Sequence, residues 1–249
     1  MKIQLVRNAT MKIYYAGKTI LADPMLSKKG EIQSFAGIAP NPTIELPISV
    51  DDIINDINAV LISHTHPDHL DKPAMELLYK QLPVFCQKPD ENLLKENGFL
   101  NVTVVEKSVI WENITITKTG GKHGSGDILQ MMGEVSGFIL QAKGEPTVYW
   151  IGDAIWGEEV ENAIKTYNPD IIITHSGGAV IPGHNPILMD ANETITVLKS
   201  APNAKVVAIH MEALDHCTVT RNSLREWADN NGIEKERLFI PNDGETITV

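Results

Sequence analysis

Three histidines and one carboxylate fall within six residues in His64-Thr65-His66-Pro67-Asp68-His69. Neutral imidazole and carboxylate are what Zn²⁺ and related divalent ions bind. The cluster follows the apolar run Ala59-Val60-Leu61-Ile62 and precedes Met75, Leu77 and Leu78, which are spaced for a helix. A lone histidine is more often an ordinary core or surface residue. Chance rarely places four potential ligands together at a strand-to-helix junction. Ions held there would lower the pKa of bound water to about 7 and so make hydroxide available at neutral pH.

The other candidates share that context. His123 follows a strand-like run at 114–119, within Gly120-Gly121-Lys122-His123-Gly124. Asp153 follows Tyr149-Trp150-Ile151-Gly152, His175 follows Ile171-Ile172-Ile173-Thr174, and His210 follows Val206-Val207-Ala208-Ile209. In α/β sheets, ligands bind beyond the carboxyl ends of the strands. Five strand ends, those before His64, His123, Asp153, His175 and His210, therefore direct metal-capable side chains to one rim.

The elements that must hold this rim begin with a β meander over residues 1–22, with strands at 3–6, 11–15 and 19–22. Residues 25–50 are rich in Gly, Pro, Ser and Asn and show no sustained period. A loop of that length is usually functional or mobile, and it is expected to line or cover a pocket. A helix is expected over about 71–81, with Pro73 in its first turn, and another over 90–97, stopped by Gly98. Strands are expected at 84–86, 102–105, 114–117, 136–140 and 147–151. From residue 153 helix and strand alternate, with helices at 157–167, 190–200 and 221–230 and a Gly/Pro loop at 176–186. Short strands at 238–240 and 246–249 close the chain. This alternation suggests a layered α/β fold.

At 249 residues the chain is long enough to bury a sizeable core, and a single domain is expected. It is 43% hydrophobic and 21% charged, an ordinary globular composition. A net charge of −11 argues against nucleic-acid and anionic-membrane partners, both of which need clustered Lys and Arg. Cys86 and Cys217 make no disulfide framework and read as reduced thiols. No stretch approaches the roughly 20 apolar residues that span a bilayer. No signal-like segment opens the sequence, so a cytoplasmic location is expected.

With these residues the chain resembles the metallo-β-lactamase-fold hydrolases, which carry His-x-His-x-Asp-His after a central strand and then a distant His, Asp and His. The resemblance covers nearly the whole chain, including Leu21-Ala22-Asp23-Pro24 and Ile240-Pro241-Asn242-Asp243-Gly244-Glu245. It implies a four-layer αββα sandwich holding two divalent ions, Zn, Mn or Fe. Carried over by motif position, His64, His66 and His123 would hold one ion, Asp68, His69 and His210 the other, and Asp153 would bridge both. Asp68 would also be catalytic, orienting the nucleophile or passing its proton to the leaving group. His216, six residues past His210, is an alternative ligand, but His210 is favoured because it directly follows a strand. His175, His184 and His216 are then candidate substrate contacts.

Within the superfamily the chain is similar to the ascorbate 6-phosphate lactonase-like branch, through the meander into Asp23-Pro24 and through Met189-Asp190-Ala191 after a Gly/Pro loop. The expected activity is hydrolysis of a small-molecule ester, lactone or phosphoester by a metal-bridging hydroxide, with Lys122 or Arg221 as candidate anion contacts. The leading alternative is a phosphodiesterase acting on nucleotides or RNA ends. Others are a non-catalytic metal-binding member of the fold, and a di-iron oxidoreductase, which His66 disfavours. A homo-oligomer is compatible with the sequence, which does not read out oligomeric state.

Overall fold

A computed structural model describes residues 1–249. The short apolar runs rich in Ile, Val, Tyr and Trp become strands, as β-branched and aromatic side chains favour. The first sheet contains β1 (Lys2–Arg7), β2 (Thr10–Tyr15), β3 (Lys18–Ala22), β4 (Ala59–Leu61), β5 (Pro83–Cys86), β6 (Asn101–Val104) and the closing strand β14 (Thr246–Thr248). The second contains β7 (Ser108–Trp111), β8 (Ile114–Thr119), β9 (Gly137–Gln141), β10 (Val148–Trp150), β11 (Ile171–His175), β12 (Lys205–Ile209) and β13 (Leu238–Phe239). Their orders are β14-β1-β2-β3-β4-β5-β6 and β13-β12-β11-β10-β9-β8-β7.

Both sheets are mixed. β3 to β6 run parallel, as do β10 to β13, while the flanking strands pair antiparallel. The inner faces share one core, in which Ile13, Ile20 and Leu61 of the first sheet join Ile116, Phe138, Trp150 and Val207 of the second. β12 shows why its sequence is apolar throughout. Val207 and Ile209 face that core, whereas Val206 and Ala208 face the outer helices. Those helices are α5 (Glu158–Tyr167), α6 (Ala191–Ser200) and α7 (Arg221–Asn230); α1 (Val50–Ile54), α2 (Lys72–Leu77) and α3 (Glu91–Glu96) cover the first sheet through a third apolar cluster. The result is the expected αββα sandwich, and no helix is long and apolar enough to cross a membrane.

Four departures from the expected elements are local. α2 starts as expected, with the Asp71 side chain accepting from the Ala74 N–H, but it ends at Leu77. Leu78 turns to extended backbone and is only 2% exposed, so burial of that side chain ends the helix. β7, α1 and α4 (Ile128–Met132) were not expected, because four or five residues are too few to show a period.

The long loop after β3 is tied down. Arg7 is fully buried and donates through Nη1 to the Ile44 carbonyl at 3.1 Å and through Nη2 to the Ser27 carbonyl at 2.7 Å. Burial lowers the guanidinium to about 10, so it stays charged at neutral pH. Asp71 accepts from the Ser27 N–H at 2.6 Å and from its hydroxyl at 2.7 Å.

Candidate metal centre

The strand directions bring the carboxyl ends of β1, β3, β4, β8, β10, β11 and β12 to one rim, and the candidate ligands converge there. His64 Nε2 lies 2.9 Å from His66 Nδ1, and these two with His123 form one group whose ligand atoms lie within 4.8 Å of one another. His69, Asp153, His175 and His210 form a second such group. Asp68 joins it, with Oδ2 at 3.4 Å from His69 Nε2 and 3.2 Å from His210 Nε2. Asp153 Oδ2 faces both groups, at 3.0 Å from His69 Nε2, 3.4 Å from His123 Nε2 and 3.9 Å from His64 Nε2. The seven residues expected as ligands are therefore all at the rim, with Asp153 between the two sets.

The candidate substrate contacts separate. His216 lines the pocket over the cluster and stands outside both ligand groups. His184 is exposed and is not among the pocket residues. His175 is fully buried behind Asp153. Its Nδ1 stands 2.5 Å from Asp153 Oδ1, and its Nε2 accepts from Trp150 Nε1 at 2.9 Å. That pairing fixes the proton on Nδ1 and makes His175 the prop of the Asp153 carboxylate.

A layer of hydrogen bonds that the sequence reading did not assign sets the remaining rings. Asp23 Oδ2 stands 2.6 Å from His69 Nδ1 and accepts from Ser63 Oγ at 2.5 Å, while Oδ1 accepts from the Ser63 N–H at 2.8 Å. Ser63 Oγ, with its proton directed to Asp23, accepts in turn from His64 Nδ1 at 3.0 Å. His123 Nδ1 donates to the Ile187 carbonyl at 2.9 Å. His64, His69 and His123 are thereby left with Nε2 free for a cation, which is how ligating histidines are oriented. Asn8, in the β1–β2 turn, donates through Nδ2 to the Asp68 carbonyl at 3.3 Å and accepts the His210 N–H at 3.0 Å. The only sequence signal for this layer was Asp23-Pro24, which read as the end of a strand.

Backbone geometry is unusual at the same places. Asp23 and His210 have φ of +42° and +63°, left-handed values that cost non-glycine residues of order 1 kcal/mol or more. Gly152 (φ +72°) delivers Asp153, and a Cβ there would come within 2.7 Å of the Ser136 carbonyl. At Gly177 a Cβ would lie 2.1 Å from the His210 carbonyl oxygen, so only glycine lets the 176–178 turn pass behind this ligand.

The charges are strongly coupled. Burial drives His64 well below the ordinary histidine value and His123 down to about 4, so both are neutral. Burial also opposes charge on His69 and His210. Asp153, Asp68 and Asp23 nonetheless hold His69 well above the usual range, and Asp153 and Asp68 hold His210 at about 10. Burial would raise Asp68 and Asp153, but His69 and His210 keep both far below the carboxylate range. Without metal, His69 and His210 are thus protonated against Asp68 and Asp153, while His64 and His123 offer neutral lone pairs.

This donor set fits two divalent ions. Two buried carboxylates and five imidazoles, three of them with Nε2 exposed by a fixed tautomer, suit Zn²⁺, Mn²⁺ or Fe²⁺ and offer no soft thiolate. A pocket of about 150 Å³ opens over the cluster, lined by His66, Asp68, His123, Asp153 and His216 on its polar side and by Phe35, Pro67, Met132, Ile181 and Ile187 on its apolar side. No Lys or Arg lines it. The two cations considered as anion contacts have carboxylate partners instead: Lys122 pairs with Glu159 at 3.7 Å, and Arg221 pairs with Glu212 and with Asp243 at 2.7 Å.

Comparison with known proteins agrees with this geometry. A family model described as a beta-lactamase superfamily domain matches residues 18–211. The UPF0173 protein YddR of Bacillus subtilis is 35% identical over 254 residues, covering 100% of both chains. The crystal structure of a possible metal-dependent hydrolase from Veillonella parvula superposes with a TM-score of 0.96 at 34% identity, covering 100% of this chain and 99% of that one. The crystal structure of isothiocyanate hydrolase from Delia radicum gut bacteria superposes with a TM-score of 0.95 at 35% identity, again covering 100% and 99%.

Proposed function

The chain belongs to the UPF0173 metal-dependent hydrolases of the beta-lactamase superfamily, and from that premise we propose that it binds two divalent ions and hydrolyses a small, uncharged carbon electrophile bearing an apolar group. The observation that carries this reading is the pocket itself: carboxylate and imidazole ligands on one wall, apolar side chains on the other, and no cation anywhere in the lining.

His64, His66 and His123 would hold one ion, Asp68, His69 and His210 the other, and Asp153 would contribute to both. The ions supply Lewis acidity and a hydroxide nucleophile at neutral pH. The protein does the rest. His175, Trp150, Asp23 and Ser63 hold the ligands in orientation, and the apolar wall excludes water from the bound organic group. Asp68 lines the pocket with Oδ2 turned to His210, which leaves Oδ1 to take the proton released on attack and return it to the leaving group.

The expected phosphoester and the 6-phosphate of the lactonase-like branch would bring negative charge into a pocket without Lys or Arg, so uncharged substrates are favoured. The isothiocyanates named for the gut-bacterial relative are the first class to test, because they are small and apolar and that relative matches over its whole length. In that reaction water adds oxygen to the central carbon, the nitrogen takes the protons, and the C–N bond breaks to give an amine and carbonyl sulfide. Small esters and lactones present a carbon of the same reactivity and form the second class.

The test is a screen of the Zn²⁺- and Mn²⁺-loaded protein against alkyl and aryl isothiocyanates, esters, lactones and phosphodiesters. Turnover of uncharged substrates that stops on chelation supports the proposal. Turnover confined to phosphodiesters contradicts it.

A further inference from the structure

Residues 32–41 form a closed loop, because Ile32 and Asn41 exchange two backbone hydrogen bonds of 2.7 Å. Its tip is wrapped around one carboxylate from the far end of the chain. Asp215 Oδ1 accepts from the Phe35 N–H at 3.1 Å and from Asn41 Nδ2 at 2.9 Å. Oδ2 accepts from Ser34 Oγ at 2.5 Å and from the N–H groups of Ala36 at 3.2 Å, Ile38 at 3.2 Å and Ala39 at 3.3 Å. Asn41 Oδ1 accepts the Asp215 N–H in return, at 2.8 Å. Six donors on one carboxylate are far more than a surface aspartate needs, and they tie the loop to the turn that follows ligand His210.

The residues beside this knot face the reaction chamber. Phe35 and His216 meet edge to face, with ring centroids 5.1 Å apart and an interplanar angle of 85°, and both line the pocket. His216 is 6% exposed, and its Nδ1 has no hydrogen-bond partner. An aromatic ring and a buried imidazole ring therefore stand side by side in the pocket wall beside the candidate metal ligands, and Asp215, next to His216 in sequence and bonded to the Phe35 N–H, holds both.

We propose that Phe35 and His216 form the subsite for the substrate's organic group, and that Asp215 is the positioning residue that sets it. The ligand class is an uncharged alkyl or aryl group. This rests on the hydrolase reading for its catalytic consequence only, since binding at the subsite can be measured without turnover.

The experiment titrates the zinc-loaded full chain with phenylacetamide and with acetamide, by ligand-observed NMR. Wild type is expected to bind phenylacetamide at least about tenfold more tightly, the size of effect one buried ring contact gives. Asp215→Ala and Phe35→Ala should each bring that preference below about threefold with metal content unchanged, while Ile38→Ala, on the same loop but outside the pocket, should keep it. Retention of the preference in Phe35→Ala overturns the proposal even if Asp215→Ala fails to fold. So does its loss in Ile38→Ala.

On methyl and phenylethyl isothiocyanate, Asp215→Ala should raise KM for the larger substrate about tenfold with kcat held. An equal fall of kcat on both would make Asp215 merely structural and overturn its role. If wild type turns over neither compound, the proposed substrate class fails while the amide titration still decides the subsite.

Discussion

Asp23 Oδ2 stands 2.6 Å from His69 Nδ1, and through Ser63 Oγ the same carboxylate sets the ring of His64. One side chain, held in a left-handed turn at the end of β3, thus orients a ligand of each group. Removing such a partner typically costs 10- to 100-fold in metal affinity, on the order expected here. Asp23→Asn should weaken zinc binding by about that factor, measured by competition with a chromophoric chelator, with the far-ultraviolet circular dichroism unchanged. Wild-type affinity would mean that the His69 and His64 tautomers do not depend on this carboxylate.

Gly177 passes directly behind His210, where an added Cβ would sit 2.1 Å from the carbonyl oxygen. A backbone carbonyl cannot yield as a flexible side-chain tip can, so Gly177→Ala should displace His210. Elemental analysis should show metal content falling by about one equivalent per chain, the ion that Asp68, His69 and His210 would hold being the one lost. A variant with full metal content would place the turn elsewhere than the structure does.

Metal uptake should release protons. Without metal, the neighbouring carboxylates hold His210 at about 10 and His69 well above the ordinary histidine value, so both rings carry a proton at pH 7. A ligating imidazole must lose that proton. Affinity for zinc should therefore rise with pH through the neutral range, and calorimetry in buffers of different ionisation enthalpy should report release of about one to two protons per chain. A pH-independent affinity would contradict the charge state assigned to this cluster.

Asp90, bonded to Thr65 between His64 and His66, supplies a stability test on the metal-free protein. Burial raises its carboxyl to about 6; Oδ1 accepts from Thr65 Oγ1 at 3.0 Å, and Oδ2 has no partner. Between about pH 4 and 6 the folded protein keeps a proton that the unfolded chain has lost, so this group's contribution is complete below about 4 and is lost as pH rises through 6. In urea unfolding of the metal-free protein, Asp90→Asn should gain on wild type by about 1–2 kcal/mol from pH 4 to pH 7. A difference that does not change with pH would refute the raised carboxyl.

How much could be read in advance follows from how local each signal is. The convergence of the His64–His69 cluster with Asp153 and His210, which stand just past strand ends, was legible because sheet geometry turns a strand end into a direction. The sandwich was legible for the same reason, through apolar runs such as Val206–Ile209 that are buried on both faces. The supporting layer was not. Asp23 and Ser63 meet His69 and His64 at the ends of paired strands of the first sheet, Trp150 meets His175 within the second, and Asn8 meets His210 across the two, so their spacing carries no period. His175 shows the limit from the other side: it stands at a strand end like the ligands, yet its contact with Trp150 turns it into a support for Asp153. The loop after β3 could be marked as functional by composition alone, but its fixation by Arg7 and Asp215 depends on residues distant in the chain.

Seven side chains, Asp153 among them, are proposed to hold two ions. Elemental analysis of the zinc-reconstituted, desalted protein tests it most directly, paired with the rate on its best substrate. About two equivalents per chain are expected, with activity lost on chelation and regained on metal return. Full activity at one equivalent or none would contradict it.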